Sequence, residues 1–527
     1  MTRLVFCFLM LLNAVVLEAR SIRFRAMWRE DPATTMVIGW DQVSGTTPLF
    51  CYDEVDNGTK ADVYKLKRKP DQVVVSRGLN NNFVRLTGLK PNTVYFFVVK
   101  DSEGISRRYS FRTAPNVPTE RLAIISGGDS RNNREARFSA NTLVAKIRPT
   151  FVLFNGDMTA TDTGPDWALW LDDWQATIGS DGRIFPVVVA RGNHELDNRS
   201  LQEIFDIPSP EAYYAFSFGG NLLRLLTLNT LAATGGDQKA WLERELLAAK
   251  GFTWRFAQYH HAMRPHTTSK SERDDLVQNW APLFLIHQVQ LALESDTHVA
   301  KWTYPIRVSK ESGSDEGFIR DDERGTVYVG EGCWGAPLRA SDDNKKWTRN
   351  SGSFNHFNLI YVDAEKVEVR TVITDQFQGV IESKSPFVLP VGLKLWEPSN
   401  GNVVIIPKRK GAPSTGTTAS TRPAAPVLTP AEAAESALND KEWAKLGPCA
   451  IDPNSNEVIV PFSLTLAGDT QICVYNTLKK EMVKQDFPPM PAGKYQKKLF
   501  LNQLNPGRYL VVVRSAGKAV VFYQFVR

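Results

Sequence analysis

The chain has 527 residues, too many for one ordinary hydrophobic core, so several domains are expected. Its hydrophobic and charged fractions, 43% and 23%, are those of globular protein and exclude a disordered or fibrous chain. A formal charge of +6, from 63 basic and 57 acidic residues, is mild over this length and indicates no nucleic-acid-binding surface.

The N-terminal run MTRLVFCFLMLLNAVVLEARS places one arginine before an apolar stretch from Leu4 to Leu17 and a small residue, Ala19. This predicts a secretory signal peptide over residues 1–19. The alternative is a membrane anchor, but the stretch is shorter than the roughly 20 apolar residues a span needs. No later stretch is apolar enough to span, so no transmembrane segment is expected and the mature chain is read as secreted or cell-surface, with the periplasm as the alternative. Beyond Cys7, the cysteines Cys51, Cys333, Cys449 and Cys473 show no CxxC spacing. Cys449 and Cys473 either pair or stay as buried thiols.

Residues 20–116 hold β-type runs (TTMVIGW, FVRLTGL, VYFFVVK) separated by turn clusters, the pattern of a β-sandwich. The run from Leu89 to Tyr95, closing with FRTAP, resembles a fibronectin type III module, which implies a tyrosine-corner bond for Tyr95. From residue 120 to 407 the pattern changes. Apolar runs (LAIISGG, FVLFNGD, FPVVVARGN, LLRLLTLNT, WRFAQYHH, VQLALES) alternate with helix-like segments such as REARFSANTLVAKI and DQKAWLERELLAAK. Strands buried on both faces and separated by helices predict a layered α/β domain. Residues 408–440, beginning KRKGAPSTGTTASTRPAAP, read as a flexible linker. Residues 441–527 return to β character and predict a second, seven-strand-like sandwich.

All seven histidines fall between His194 and His356. In that window and just before it, residues of metal-ligand type follow apolar strands in series: GGDS (Asp129), NGDM (Asp157), RGNHE (Asn193, His194, Glu195), QYHH (His260, His261) and ESDTH (Asp296, His298). Loops at the carboxyl ends of strands in an open α/β sheet converge on one crevice, so these residues can meet although they are far apart in the chain. Carboxylates, an amide oxygen and imidazoles together suit divalent metals. His287 and the tryptophans Trp167, Trp170 and Trp174 are read as structural, and His266 and His356 as lining the cleft or, for His356 first of all, as structural.

The order GD, GD, GNHE, H, xxxH resembles the calcineurin-like metallophosphoesterases, and over residues 22 to 375 the nearest subgroup looks like the purple acid phosphatases. The resemblance implies a four-layer α/β/β/α core, a small phosphorylated substrate and two divalent metal ions (Mn, Fe, Zn or Mg). It implies hydrolysis of phosphate esters by attack of a metal-bound hydroxide. Carried over by position, it makes Asp157 the bridge, Asp129 and His298 ligands of the first metal, and Asn193, His260 and Asp296 ligands of the second. His194 would assist the leaving group with Glu195 orienting it, and His261 would touch substrate. Three departures stand out: Asp296 where a histidine is usual, Ala160 where purple enzymes have tyrosine, and Arg131 where many relatives have a histidine. Arg131 cannot ligate a cation, and is read either as a phosphate clamp or as a surface residue. Nucleotidase or phosphodiesterase chemistry, or a degenerate cell-surface binding role, are the competing readings. The order VIVPFSL, QICVYNT, LNPGRYLVVV, VVFYQFV resembles a type IX secretion sorting domain, which implies the type IX machinery as a partner and passage through the outer membrane.

Overall fold

In the computed structural model, the described residues are 20–409 and, beyond them, the strands between residues 444 and 526. The expected signal peptide, nearly all of the expected linker, Cys449 and the LNPG turn lie outside the described residues. Residues 1–415 and 416–527 form two units, each taken by itself below.

The first unit opens with two four-stranded sheets. One has the order Ser21–Met27, Met36–Gln42, Leu79–Leu86, Gln72–Ser76; the other has Leu66–Arg68, Leu49–Asp53, Val94–Lys100, Tyr109–Arg112. Alternating side chains of both fill the space between them, with Phe24, Trp40, Phe50 and Phe97 fully buried and the Phe50 and Phe97 rings stacked at 4.7 Å. At the expected corner, Tyr95 Oη accepts the Lys90 N–H at 2.9 Å.

Behind this sandwich stand two larger sheets. The six-stranded sheet runs Val187–Val189, Phe151–Phe154, Leu122–Gly127, His356–Val362, Lys366–Ile373, Val404–Pro407, its first three strands parallel. The seven-stranded sheet runs Tyr214–Phe218, Leu223–Thr227, Trp254–His261, Leu291–Ser295, Val327–Gly330, Ala300–Thr303, Thr348–Gly352, with four parallel strands inside antiparallel edges. Because side chains alternate along a strand, Leu225, Phe256, Leu291 and Val329 join one core with the six-stranded sheet, whereas Leu226, Ala257, Ala292 and Tyr328 join another with Leu242, Leu246, Trp280 and Phe284. The helix Arg134–Ile147 covers the opposite side through Ala140, Leu143, Val144 and Ile147. The order of layers is therefore helix, sheet, sheet, helix. That helix starts where Asn133 Oδ1 caps the Glu135 and Ala136 N–H groups, and it stops at Arg148 in the left-handed conformation. Trp167, Trp170 and Trp174, on the helix Gly164–Trp174, are core residues at 0–1% exposure.

The small sandwich grips this core through arginines. The hairpin turn Arg77-Gly78 has φ of 52° and 73°, the twist a two-residue hairpin needs. Its tip brings Arg77 Nη2 to Asp162 Oδ2 at 3.3 Å and Ser200 Oγ at 3.0 Å, with Nη1 on Glu203. Asp162 in turn accepts from Ser200 Oγ at 2.7 Å and Trp167 Nε1 at 2.6 Å, bracing the loop that follows Asp157. Arg77→Ala is expected to lower stability by about 2 kcal/mol, the typical cost of losing hydrogen bonds to charged groups. Urea unfolding checks this; an unchanged midpoint would show the clamp to be idle.

The second unit has eight strands among its described residues, one more than the pattern suggests, in two sheets packed on Val460, Phe462, Ile472, Val474, Leu499 and Val511. Glu481–Met490 is the least legible of them, because Pro488 and Pro489 interrupt its strand pattern.

Candidate metal centre

Asp129 lies just past the strand Leu122–Gly127, Asp157 past Phe151–Phe154, Asn193 and His194 past Val187–Val189, His260 at the end of Trp254–His261, and Asp296 and His298 past Leu291–Ser295. Backbone bonds stitch these ends together. Asp129 N–H donates to Gly156 O at 3.0 Å, Ser130 N–H to Asp157 O at 3.0 Å, and the Asp296 N–H to Asp129 Oδ2 at 2.8 Å, joining the two sheets. Asp129, Asp157, Asp296 and His298 all have positive φ, at 57°, 57°, 74° and 59°. This backbone turn occurs where each chain leaves its strand. Gly332, at φ 87°, is needed because a Cβ there would run into the Asp129 carboxylate.

The donors converge on His260, which is fully buried. Its Nδ1 donates to Asn155 O at 2.8 Å, which leaves Nε2 facing Asn193 Oδ1 at 3.0 Å, Asp157 Oδ1 at 3.3 Å and Asp296 Oδ1 at 3.7 Å. Ligand atoms of Asp129, Asp157 and His260 lie within 4.8 Å of one another, as do those of His260, His261 and Asp296. Asp129 Oδ1 is buried and accepts no hydrogen bond. A buried carboxylate oxygen left open beside an imidazole nitrogen fits a divalent cation. Without such a cation, the carboxylates Asp157, Asp129 and Asp296 outweigh burial and hold the His260 proton up to about 9.

The second cluster has a different make-up. His298 donates Nδ1–H to Pro337 O at 2.7 Å and turns Nε2 toward Asp129 Oδ1 at 3.3 Å. Arg131 enters the same space: Nε donates to Asp157 Oδ2 at 3.2 Å and Nη2 lies 3.3 Å from His298 Nε2. Arg131 is thus a residue of the centre, with its side chain 13% exposed, and not a surface residue.

His194 is the most open of the group, its side chain 28% exposed. It donates Nδ1–H to Ala160 O at 2.6 Å and holds Nε2 3.8 Å from Asp157 Oδ2. Glu195 was expected to orient His194; the group that does so is the Ala160 carbonyl. Glu195 is fully buried and accepts the backbone N–H groups of Asp157, Met158 and Gly192 at 2.8–2.9 Å, fixing the turns under the carboxylate. Burial and the Asp157 charge push its carboxyl up to about 7. His261 shares a hydrogen bond with Thr230 Oγ1 at 2.9 Å, and burial together with His260 pulls its pKa down to about 3. His266 and His356 are buried away from the donors, the first beside Glu331 at 3.4 Å. Sequence reasoning missed Lys270, whose Nζ donates to Asp296 Oδ1 at 2.5 Å, and Arg339, which donates to Asp296 O at 2.9 Å. No motif marks either.

The two-sheet α/β layering thus gathers hard donors at the ends of strands from both sheets. Residues 129–300 match the family model of the calcineurin-like phosphoesterases. The sandwich narrows the family: residues 23–113 match the model of the purple acid phosphatase N-terminal domain. The chain therefore carries a purple acid phosphatase N-terminal domain followed by a calcineurin-like phosphoesterase domain. An uncharacterised Mycobacterium tuberculosis protein is 24% identical over 374 residues, covering 58% of this chain and 68% of that one. Purple acid phosphatase 13 of Arabidopsis thaliana is 23% identical over 321 residues, covering 48% and 54%. The structure of a purple acid phosphatase from yellow lupin (Lupinus luteus) seeds has the same fold, with a TM-score of 0.55 at 14% identity, covering 68% of this chain and 73% of that one.

Proposed function

We propose that the chain is a metal-dependent phosphoric ester hydrolase acting on small phosphorylated substrates. The observation that carries this is the convergence of Asn193, Asp157 and Asp296 oxygens on His260 Nε2. When bound there, a divalent ion supplies Lewis-acid polarisation of a phosphoryl oxygen and acidifies water. The protein's own part is positional. Asn155 O and Pro337 O fix the ring orientations of His260 and His298, and Glu195 holds the Asp157 turn. His194, with its Nδ1–H given to Ala160 O, offers Nε2 at the mouth of the site, where it can carry a proton to a departing alkoxide. His194→Ala is expected to cut turnover by about a hundredfold or more. The loss should be steepest for esters with poor leaving groups, which a series of substituted phenyl phosphates will measure. Equal losses across the series would remove His194 from proton transfer.

The apolar run before Ala19 and the sorting-like tail support export. The test of the function is hydrolysis of p-nitrophenyl phosphate and its bis ester by purified protein, before and after chelation and with Mn(II), Fe(II), Zn(II) or Mg(II) restored. Turnover lost with chelator and regained with one of these ions supports the proposal, and the preferred ester separates monoesterase from diesterase. No turnover under any of them would move the chain to the binding-protein reading.

A further inference from the structure

The two unusual residues of the centre, Arg131 and Asp296, each come with a protein cation. Arg131 spans Asp157 Oδ2 at 3.2 Å and His298 Nε2 at 3.3 Å, and its Nη1 is tied back to Asn132 Oδ1 at 3.0 Å. The guanidinium thus stands between Asp157 and His298, two residues that an ion on that side of the centre would need as ligands. An ion entering that place meets the positive charge of the guanidinium and must expel the side chain. Lys270 sits 2.5 Å from the Asp296 carboxylate and compensates the charge that replaces a neutral donor. Around His260 Nε2 the balance is different: Asn193, Asp157 and Asp296 oxygens lie within 3.0–3.7 Å, and the guanidinium is bonded to the far oxygen of Asp157. The three carboxylates Asp129, Asp157 and Asp296 are set against Arg131 and Lys270, so one divalent ion leaves the centre with a single net positive charge and two would leave it with three.

We propose that this centre holds one tightly bound divalent ion, at Asp157, Asn193 and His260, and that Arg131 stands permanently in the place of the other. A phosphoryl group would then be met by an ion on one side and by the planar fork of a guanidinium on the other, a fork that matches two phosphoryl oxygens at once. This rests on the metal-dependent reading above, but its test is separate from turnover.

The experiment is the stoichiometry of Mn(II) binding to the full chain, by titration and by metal analysis after gel filtration, with the electron paramagnetic resonance spectrum of each sample. The expected result is one Mn(II) per wild-type chain with the six-line spectrum of an isolated ion. In Arg131→His, which adds a neutral donor in place of the cation, two Mn(II) per chain and a spin-coupled spectrum are expected. Two ions per wild-type chain would overturn the proposal. So would one ion per chain in both Arg131→His and Arg131→Ala, if either folds as judged by circular dichroism. No Mn(II) bound to the wild type would overturn the metal-dependent reading itself.

Discussion

Asp157→Asn is expected to lower phosphate ester turnover by about a thousandfold or more, while leaving the fold intact. Asp157 is fully buried and serves four groups at once: Oδ1 accepts the His194 N–H at 2.8 Å and faces His260 Nε2, and Oδ2 accepts from Arg131 Nε and faces His194 Nε2. An amide of the same shape has one oxygen where the carboxylate has two. Its NH2 must then oppose either the His194 N–H or the Arg131 guanidinium, and the charge that draws a cation to the centre is gone. Turnover within tenfold of wild type, in protein whose circular dichroism is unchanged, would show that Asp157 is not central to the chemistry.

Glu331→Gln should lower stability by about 1.5–3 kcal/mol, because it removes one of the two carboxylates on a buried ammonium and leaves Lys301 paired with Glu294 alone. Lys301 is buried between Glu294, at 2.5 Å, and Glu331. The remaining acceptors of the cluster are already used, since Glu294 also takes the Tyr259 hydroxyl and the Met263 N–H, each at 2.9 Å. Burial alone would raise the Glu331 carboxyl; the charge of Lys301 and the bond from His266 override it and bring the pKa down to about 2. The folded value lies below the ordinary 4.5. The contribution is therefore complete above about pH 4.5 and is lost as pH falls towards 2. Melting temperatures across that window should fall more steeply for wild type than for the variant. Parallel curves would mean that the cluster gives no pH-dependent stability. Because the Glu331 carbonyl accepts the His298 N–H at 2.9 Å and its carboxylate takes the Thr297 hydroxyl, the network is also the floor under the Asp296–His298 turn.

How much of this was legible in the sequence differs from residue to residue. Asp129, Asp157, Asn193, His260 and His298 could be read because each follows an apolar strand, and parallel strands bring their ends together wherever the helices between them lie. The helix Gly236–Ala248 was readable from its spacing, and the layering followed from strands apolar on both faces. Lys270 was not readable: it sits in a loop with no periodicity, and its distance from Asp296 is set by tertiary structure alone. The tasks of Asn155 O, Ala160 O and Pro337 O were equally hidden, because a backbone carbonyl is the same in every residue. Glu195 shows a subtler failure. Its neighbour in sequence is His194, but its side chain turns under the Asp157 loop because three buried N–H groups need an acceptor there.

The left-handed backbone at Asp129, Asp157, Asp296 and His298 has a bearing on how such a chain can change over time. Each of these positions would be more comfortable as glycine, which adopts that conformation without steric penalty. Glycine there would relieve the backbone but leave the His194 and Asp296 N–H groups without their carboxylate acceptors. A chain that keeps aspartate and histidine there accepts a strained backbone in exchange for donors that point inward. The centre is therefore a place where donor geometry and backbone comfort pull in opposite directions.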